Sequence, residues 1–238
     1  MATPMMLGIQ TYRTAPGAAT NNSTRAGSDD RPEATARCDA LDRIGMRAMF
    51  RRGQAIFHEG DRADTIYKVV TGAVRTSRVI SDGRRHVADF LFPDALFGLD
   101  SGRERALTAE ALCDTVVMRY PRHLFEAVTQ DDRSAGRLVY AALCNGLASA
   151  HDRMLLLGRK TAVEKIASFL LEMAERRPAD QVELPMPRAD IADHLGLTIE
   201  TVSRVLSQLK ADGVIRLPDP VHVVLVRRAA LEAIAEGA

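Results

Sequence analysis

The sequence predicts an α+β protein with an N-terminal antiparallel β-roll, a long dimerisation helix and a C-terminal winged helix-turn-helix. Three observations lead there. Short runs of strand formers separated by glycine fill Phe50 to Tyr120. Apolar residues at helical spacing run through Pro121 to Gly158. The stretch Arg188 to Leu209, R-A-D-I-A-D-H-L-G-L-T-I-E-T-V-S-R-V-L-S-Q-L, has the pattern of two short helices around a tight turn.

In chain order, residues 1–37 are rich in Ala, Thr, Gly, Asn, Ser and Pro without a sustained period. Such a segment buries too little apolar surface to offset its ordering entropy, so a flexible tail is expected. It has no basic start followed by an apolar core, and no apolar run in the chain approaches the length of a membrane span, so a cytoplasmic protein is expected. A short helix over Asp39 to Met49 is expected to open the folded part. The roll then occupies residues 38–121, with strand formers Ile66, Val69, Val74 and Val79 and turns at Gly53, Gly60, Gly72 and Gly83.

Residues 122–158 form the helical region, with a break near Asp131-Asp132. Tyr140, Leu143, Leu147, Ala150, Met154 and Leu157 alternate spacings of three and four, the seam of a two-stranded coiled coil. Two readings stand at this point: the seam packs against the chain's own roll, or it meets a second copy. The second is preferred, because a dimer supplies the two-fold symmetry that a palindromic DNA site requires.

The reader domain, residues 159–238, starts at a hinge, Arg159-Lys160. An amphipathic helix follows over Thr161 to Arg177, bearing Val163, Ile166, Phe169, Leu170 and Met173, and then a loop bounded by Pro178, Pro185 and Pro187. In the helix-turn-helix, Ala192 permits close packing, Gly196 supplies the bend and Val202 is the buried β-branched residue. Ile191, Leu195, Leu197, Val202, Val205, Leu206 and Leu209 form the core stripe. Thr198 is the expected N-cap of the second helix, which leaves Glu200, Ser203, Arg204 and Ser207 outward. Beyond Gly213, V-I-R-L and H-V-V-L-V flank Pro218-Asp219-Pro220 as the wing, and a helix from about Ala229 to Ala235 closes the chain.

The net charge of +1 argues against a nonspecific polycation and leaves room for a site-specific binder with local arginines. The three cysteines, Cys38, Cys113 and Cys144, are scattered in a pattern that suits neither a disulfide framework nor a metal clip. Neither G-x-S-x-G, H-E-x-x-H nor a P-loop is present, so enzymatic activity is not expected.

The run E-G-D-x-A-D-x-I-Y-x-V-x-x-G-x-V-R, Glu59 to Arg75, resembles the β-roll of cyclic-nucleotide-binding domains. Roll, long helix and winged helix in that order resemble the Crp/Fnr family of bacterial transcription regulators, from about Asp39 to the C-terminus. Within the family, L-G-L-T-I-E-T-V-S-R-V-L-S-Q-L resembles the Fnr and FixK branch, whose recognition helix carries E-x-x-S-R, here Glu200, Ser203 and Arg204. The chemistry agrees. Arginine donates two parallel hydrogen bonds to guanine O6 and N7, and a carboxylate accepts from cytosine N4. Ile199 stands where the catabolite-activator branch has an arginine, and an apolar side chain there meets a thymine methyl instead. The resemblance thus implies base contacts by Ile199, Glu200, Ser203 and Arg204 to a TTGA-type half-site. Arg188, Thr198, Thr201 and Ser207 are candidates for the DNA backbone. Double-stranded DNA, RNA polymerase and a second copy of the chain are the implied partners.

Control is implied by departures from the family pattern. Cyclic-nucleotide binders carry a cassette resembling F-G-E-L followed by an arginine and a small hydroxyl residue. Here Phe97 to Asp100 is F-G-L-D, with Leu99 in place of the glutamate, and the arginines nearby, Arg103 and Arg105, are either recruited to an anion or, as the preferred reading, part of a charged loop. Only Cys38 and Cys113 precede the long helix, short of the four thiolates of an iron–sulfur cluster. His58, His86 and His123 are isolated and read as polar surface rather than haem ligands. No metal or other cofactor is expected. The FixK branch lacks both switches, and the resemblance implies an effector-independent activator of genes for oxygen-limited respiration and nitrogen metabolism. A Crp-like regulator gated by another small molecule is the alternative. Cys144, beside Leu143, is a candidate redox thiol, although inert burial is the commoner fate of such a cysteine.

Overall fold

The computed structural model describes residues 39–176 and 181–237. The tail expected over residues 1–37, and Cys38, lie outside the described residues. Within them, α1 (Asp39–Ile44) leads into β1 (Met46–Phe50), β2 (Ala55–Phe57), β3 (Thr65–Thr71), β4 (Val74–Val79), β5 (Arg85–Leu91), β6 (Leu96–Phe97), β7 (Thr108–Ala111) and β8 (Thr115–Pro121). These strands pair antiparallel in two four-stranded sheets, ordered β1-β8-β3-β6 and β2-β7-β4-β5. Between the sheets, Phe57, Tyr67, Val69, Val74, Phe97 and Val117 form a buried core. Its rings stack, with Tyr67 and Phe97 centroids 5.1 Å apart. The turn from β3 to β4 requires glycine. Gly72 has φ +90°, and a Cβ there would lie 2.5 Å from Thr115 Oγ1.

The opening helix is shorter than expected. It ends at Ile44, and Met46–Phe50 is a strand in register with β8, from Met46 opposite Arg119 to Phe50 opposite Thr115. Gly45 sits where a Cβ would meet the Met118 and Tyr120 side chains, so the chain passes close against β8 there. The pairing covers one flank of β8, which no local helical preference of M-R-A-M-F outweighs.

Helix α2 (Arg122–Asp131) is separated from α3 (Arg133–Arg159) at the expected break. Asp132 caps α3, its carboxylate accepting from the Ser134 and Ala135 amides. The roll does not cover the seam. Tyr140, Leu143, Leu147 and Met154 are between 54% and 71% exposed, Ala150 is exposed and Leu157 is half-buried. What α3 offers its own roll is Arg153, which donates to the Ala88 carbonyl and pairs with Asp89 at 3.1 Å.

Helix α4 (Ala162–Glu175) begins with a reciprocal capping box between Thr161 and Glu164 and buries Ile166, Phe169, Leu170 and Met173. Val163, expected on that face, is exposed. The proline-bounded segment is not all loop. β9 (Gln181–Glu183) follows, ahead of α5 (Arg188–Leu195), α6 (Ile199–Ala211), β10 (Ile215–Arg216), β11 (His222–Leu225) and α7 (Arg228–Glu236). β9 pairs antiparallel with β11, Val182 opposite Val223, so the wing is a three-stranded sheet ordered β10-β11-β9. The third strand gives β11 a partner on each side and places Val182 and Val223 in the core.

Candidate nucleic-acid interface

The turn between α5 and α6 is set by Gly196, at φ 63° and ψ 41°, the left-handed conformation that ends a helix without a Cβ clash. The Leu197 amide donates back to the Ala192 carbonyl at 2.9 Å. Ala192 and Val202 are fully enclosed, as are Ile191, Leu195, Val205, Leu206 and Leu209, while Leu197 is partly buried. One face of α6 is therefore consumed by the core, which fixes what the other presents.

The α6 cap is Thr198, whose hydroxyl accepts from the Thr201 amide at 3.2 Å and lies 3.1 Å from the Thr201 hydroxyl. Ile199 is 47% exposed at the first helical position. Glu200 is exposed, and hydrogen bonds from its own amide and from Thr198 hold its carboxyl below the usual glutamate range. It is an ionised acceptor at a helix start. Arg204, one turn on, is exposed and held by no ion pair among the described residues. Ser203 and Thr201 are half-buried, and Ser207 is exposed with its hydroxyl donating to the Ser203 carbonyl at 2.8 Å. Arg188, half-buried, opens α5. An acceptor and a forked donor thus stand side by side on a rigid, capped helix, beside an apolar contact and short hydroxyls.

The sequence reading missed the charged face of α5. Asp190 is a buried carboxylate that takes Arg75 on one oxygen and Arg85 on the other, each at 2.5 Å. His194, one turn later, is also buried, its Nδ1 3.1 Å from the Val87 carbonyl and its ring against Phe90 and Phe169. The available signal was a helix of the motif carrying Asp190 and His194 four residues apart on an inward face.

In the roll, Arg105 is not a charged loop residue. It is 3% exposed, donates to the Gly98 carbonyl and the Asp100 carboxylate at 2.9 Å each and to the Thr65 carbonyl, and lies 4.3 Å from the Phe57 ring centre. Asp100, next to the Leu99 that replaces the cassette glutamate, is its counter-charge. The adjoining cavity, about 350 Å³, is lined by Phe57, Thr76, Asp89, Leu99, Asp100 and Arg153. Asp89 pairs with Arg153 there, and Asp100 with Arg105.

Cys144 is exposed on α3, so burial in the chain's own core does not account for it. It raises the neighbouring Tyr140 hydroxyl above its ordinary range through a hydrogen bond.

A roll joined by a long helix to a capped, outward-facing helix-turn-helix defines a two-domain DNA-binding regulator. Residues 47–132 match the model of the cyclic nucleotide-binding domain, and residues 164–234 that of the Crp-like helix-turn-helix domain. The chain is 40% identical over 188 residues to the nitrogen fixation regulation protein FixK of Rhizobium meliloti, spanning 79% of this chain and 86% of that protein. It is 36% identical over 204 residues to the transcriptional activator protein FnrL of Cereibacter sphaeroides, spanning 80% and 82%. The solved structure of FixK2 from Bradyrhizobium japonicum matches with a TM-score of 0.76 at 43% identity, over 80% of this chain and 97% of that one. The chain belongs to the Crp/Fnr family of transcription regulators, on its FixK-like branch. Among the described residues no helix is long and apolar enough to cross a membrane.

Proposed function

We propose that the chain is a dimeric activator that reads TTGA-type palindromes and turns on genes of oxygen-limited respiration and nitrogen metabolism through RNA polymerase, without cyclic AMP or an iron–sulfur cluster. One observation carries this reading: Glu200 and Arg204 lie exposed on the outer face of a helix whose inner face is wholly enclosed. Arg204 takes the guanine, Glu200 the cytosine opposite, Ile199 a thymine methyl, and Ser203 completes the base contacts. Arg188, Thr198, Thr201 and Ser207 meet phosphates, which position without specifying. The seam from Tyr140 to Leu157 joins two copies, because its apolar side chains are exposed in the single chain and periodic. The division into a tail (1–37), roll (38–121), dimer helix (122–158) and reader (159–238) follows the same reading.

The sealed Arg105–Asp100 pair supports independence from cyclic nucleotides. A reading in which another small molecule gates the chain is favoured by the remaining 350 Å³ cavity. One experiment tests both. Purified protein in air, with nothing added, is expected to bind a TTGA palindrome in fluorescence anisotropy, and Arg204→Ala to weaken it by about 1–3 kcal/mol. Unchanged binding by Arg204→Ala overturns the base assignment. Wild-type binding only after a small molecule is added supports the gated reading.

A further inference from the structure

The reader is not tethered to the roll by the hinge alone. β5 is the edge of its sheet, and α5 packs along it. At one end, Arg75 from β4 and Arg85 from β5 converge on Asp190, whose side chain is 1% exposed. Arg75 also pairs with Glu110 at 2.9 Å, and Arg85 with Asp193 at 2.7 Å. Toward the other end of α5 the unpaired edge of β5 is used: the Val87 carbonyl bonds His194, and Ala88, left out of register beside a bulge, gives its carbonyl to Arg153 of α3. Between the two ends Val87 and Phe90 of the roll join Phe169, Leu170 and Ile191 of the reader in one continuous core.

Apolar packing of this kind is tolerant of sliding, whereas a doubly held carboxylate is not. Each Asp190 oxygen meets one nitrogen of a different planar guanidinium, and each guanidinium is also held by a second carboxylate, Glu110 or Asp193, so both arginines are fixed in direction as well as distance. A shift of α5 would strand a charge out of water, a loss that desolvated ion pairs impose on any alternative geometry. α6 follows α5 rigidly through the Gly196 turn, so the orientation of α5 on the roll sets where the reading face points.

We propose that Arg75 and Arg85 are positioning residues for DNA recognition: by locking Asp190 they hold the reader at one angle to its own roll, and in the dimer they set the half-site spacing that is accepted. The spacing part rests on the dimeric reading above; the lock itself does not. Two DNA arms and one DNA-free arm test it on the full chain. On palindromes whose spacer is lengthened or shortened by one or two base pairs, wild type is expected to prefer one spacing by about tenfold or more. In Arg75→Gln/Arg85→Gln, that preference falls to about threefold or less, while binding to a single half-site stays within about twofold of wild type. Arg85→Lys, which keeps the charge but loses the planar group that bridges Asp190 and Asp193, is expected to lower the preference by less than the double variant does. Without DNA, hydrogen exchange in the double variant is expected to rise about tenfold over residues 85–91 and 188–195 together, with 166–173 unchanged. Unchanged exchange at 85–91 and 188–195 overturns the lock, and so does a parallel rise at 166–173, which would mark general unfolding. Normal spacing preference in a variant whose exchange has risen overturns the positioning role. Absence of wild-type binding to every TTGA duplex overturns the proposed function, and the exchange arm still decides the lock.

Discussion

Three ionisable residues, Asp190, His194 and Arg105, are buried, Arg105 against the expectation of a charged loop. Asp190 and Arg105 are neutralised by opposite charge. His194 is not: burial pushes its imidazole below the ordinary value of 6.5, Arg153 nearby pushes the same way, and Glu172 and Asp89 oppose more weakly. The native state therefore holds it neutral, while the unfolded chain takes up a proton at ordinary pH. Its contribution to stability is intact above about pH 6.5 and is lost as pH falls from there towards the depressed native value, with a slope of at most about 1.4 kcal/mol per pH unit. Urea denaturation at pH 7.5 and 5.5 should show a larger loss for wild type than for His194→Asn. Equal losses would remove His194 as the acid-sensitive group.

At the scale of elements, what local chemistry dictates was legible. α6 and the helix α3 follow from apolar period, and the turn between α5 and α6 from one glycine. α4 shows the same logic at its start, where T-A-V-E closes into a capping box. Thr161→Ala is expected to lower stability by about 1 kcal/mol in denaturant titration and to leave the Arg204 face unaffected. β1 and β9 were not legible. Five and three residues long, they become strands because β8 and β11 offer unpaired edges, a condition supplied by distant chain.

At the scale of the whole molecule, the exposed seam and the buried roll–reader contact divide the work. α3 leaves its apolar residues outward and sends Arg153 inward, so one face of the helix stays open while another is fixed to its own roll. Leu147→Glu places a charge on the seam and is expected to shift the protein from dimer to monomer by sedimentation velocity at micromolar concentration, with a circular dichroism spectrum like that of wild type. A persistent dimer would move the interface elsewhere. By itself the sequence determined the order of roll, helix and winged reader, the recognition helix and the residues on its outer face, since these depend on period, caps and turns within about twenty residues. Only the tertiary structure decided how roll and reader are joined, and that Arg105 is spent on Asp100. Arg75 and Asp190 stand 115 residues apart, and nothing in either neighbourhood encodes the other. Their pairing exists because folding brings a sheet edge and a helix together and leaves the carboxylate no water to turn to.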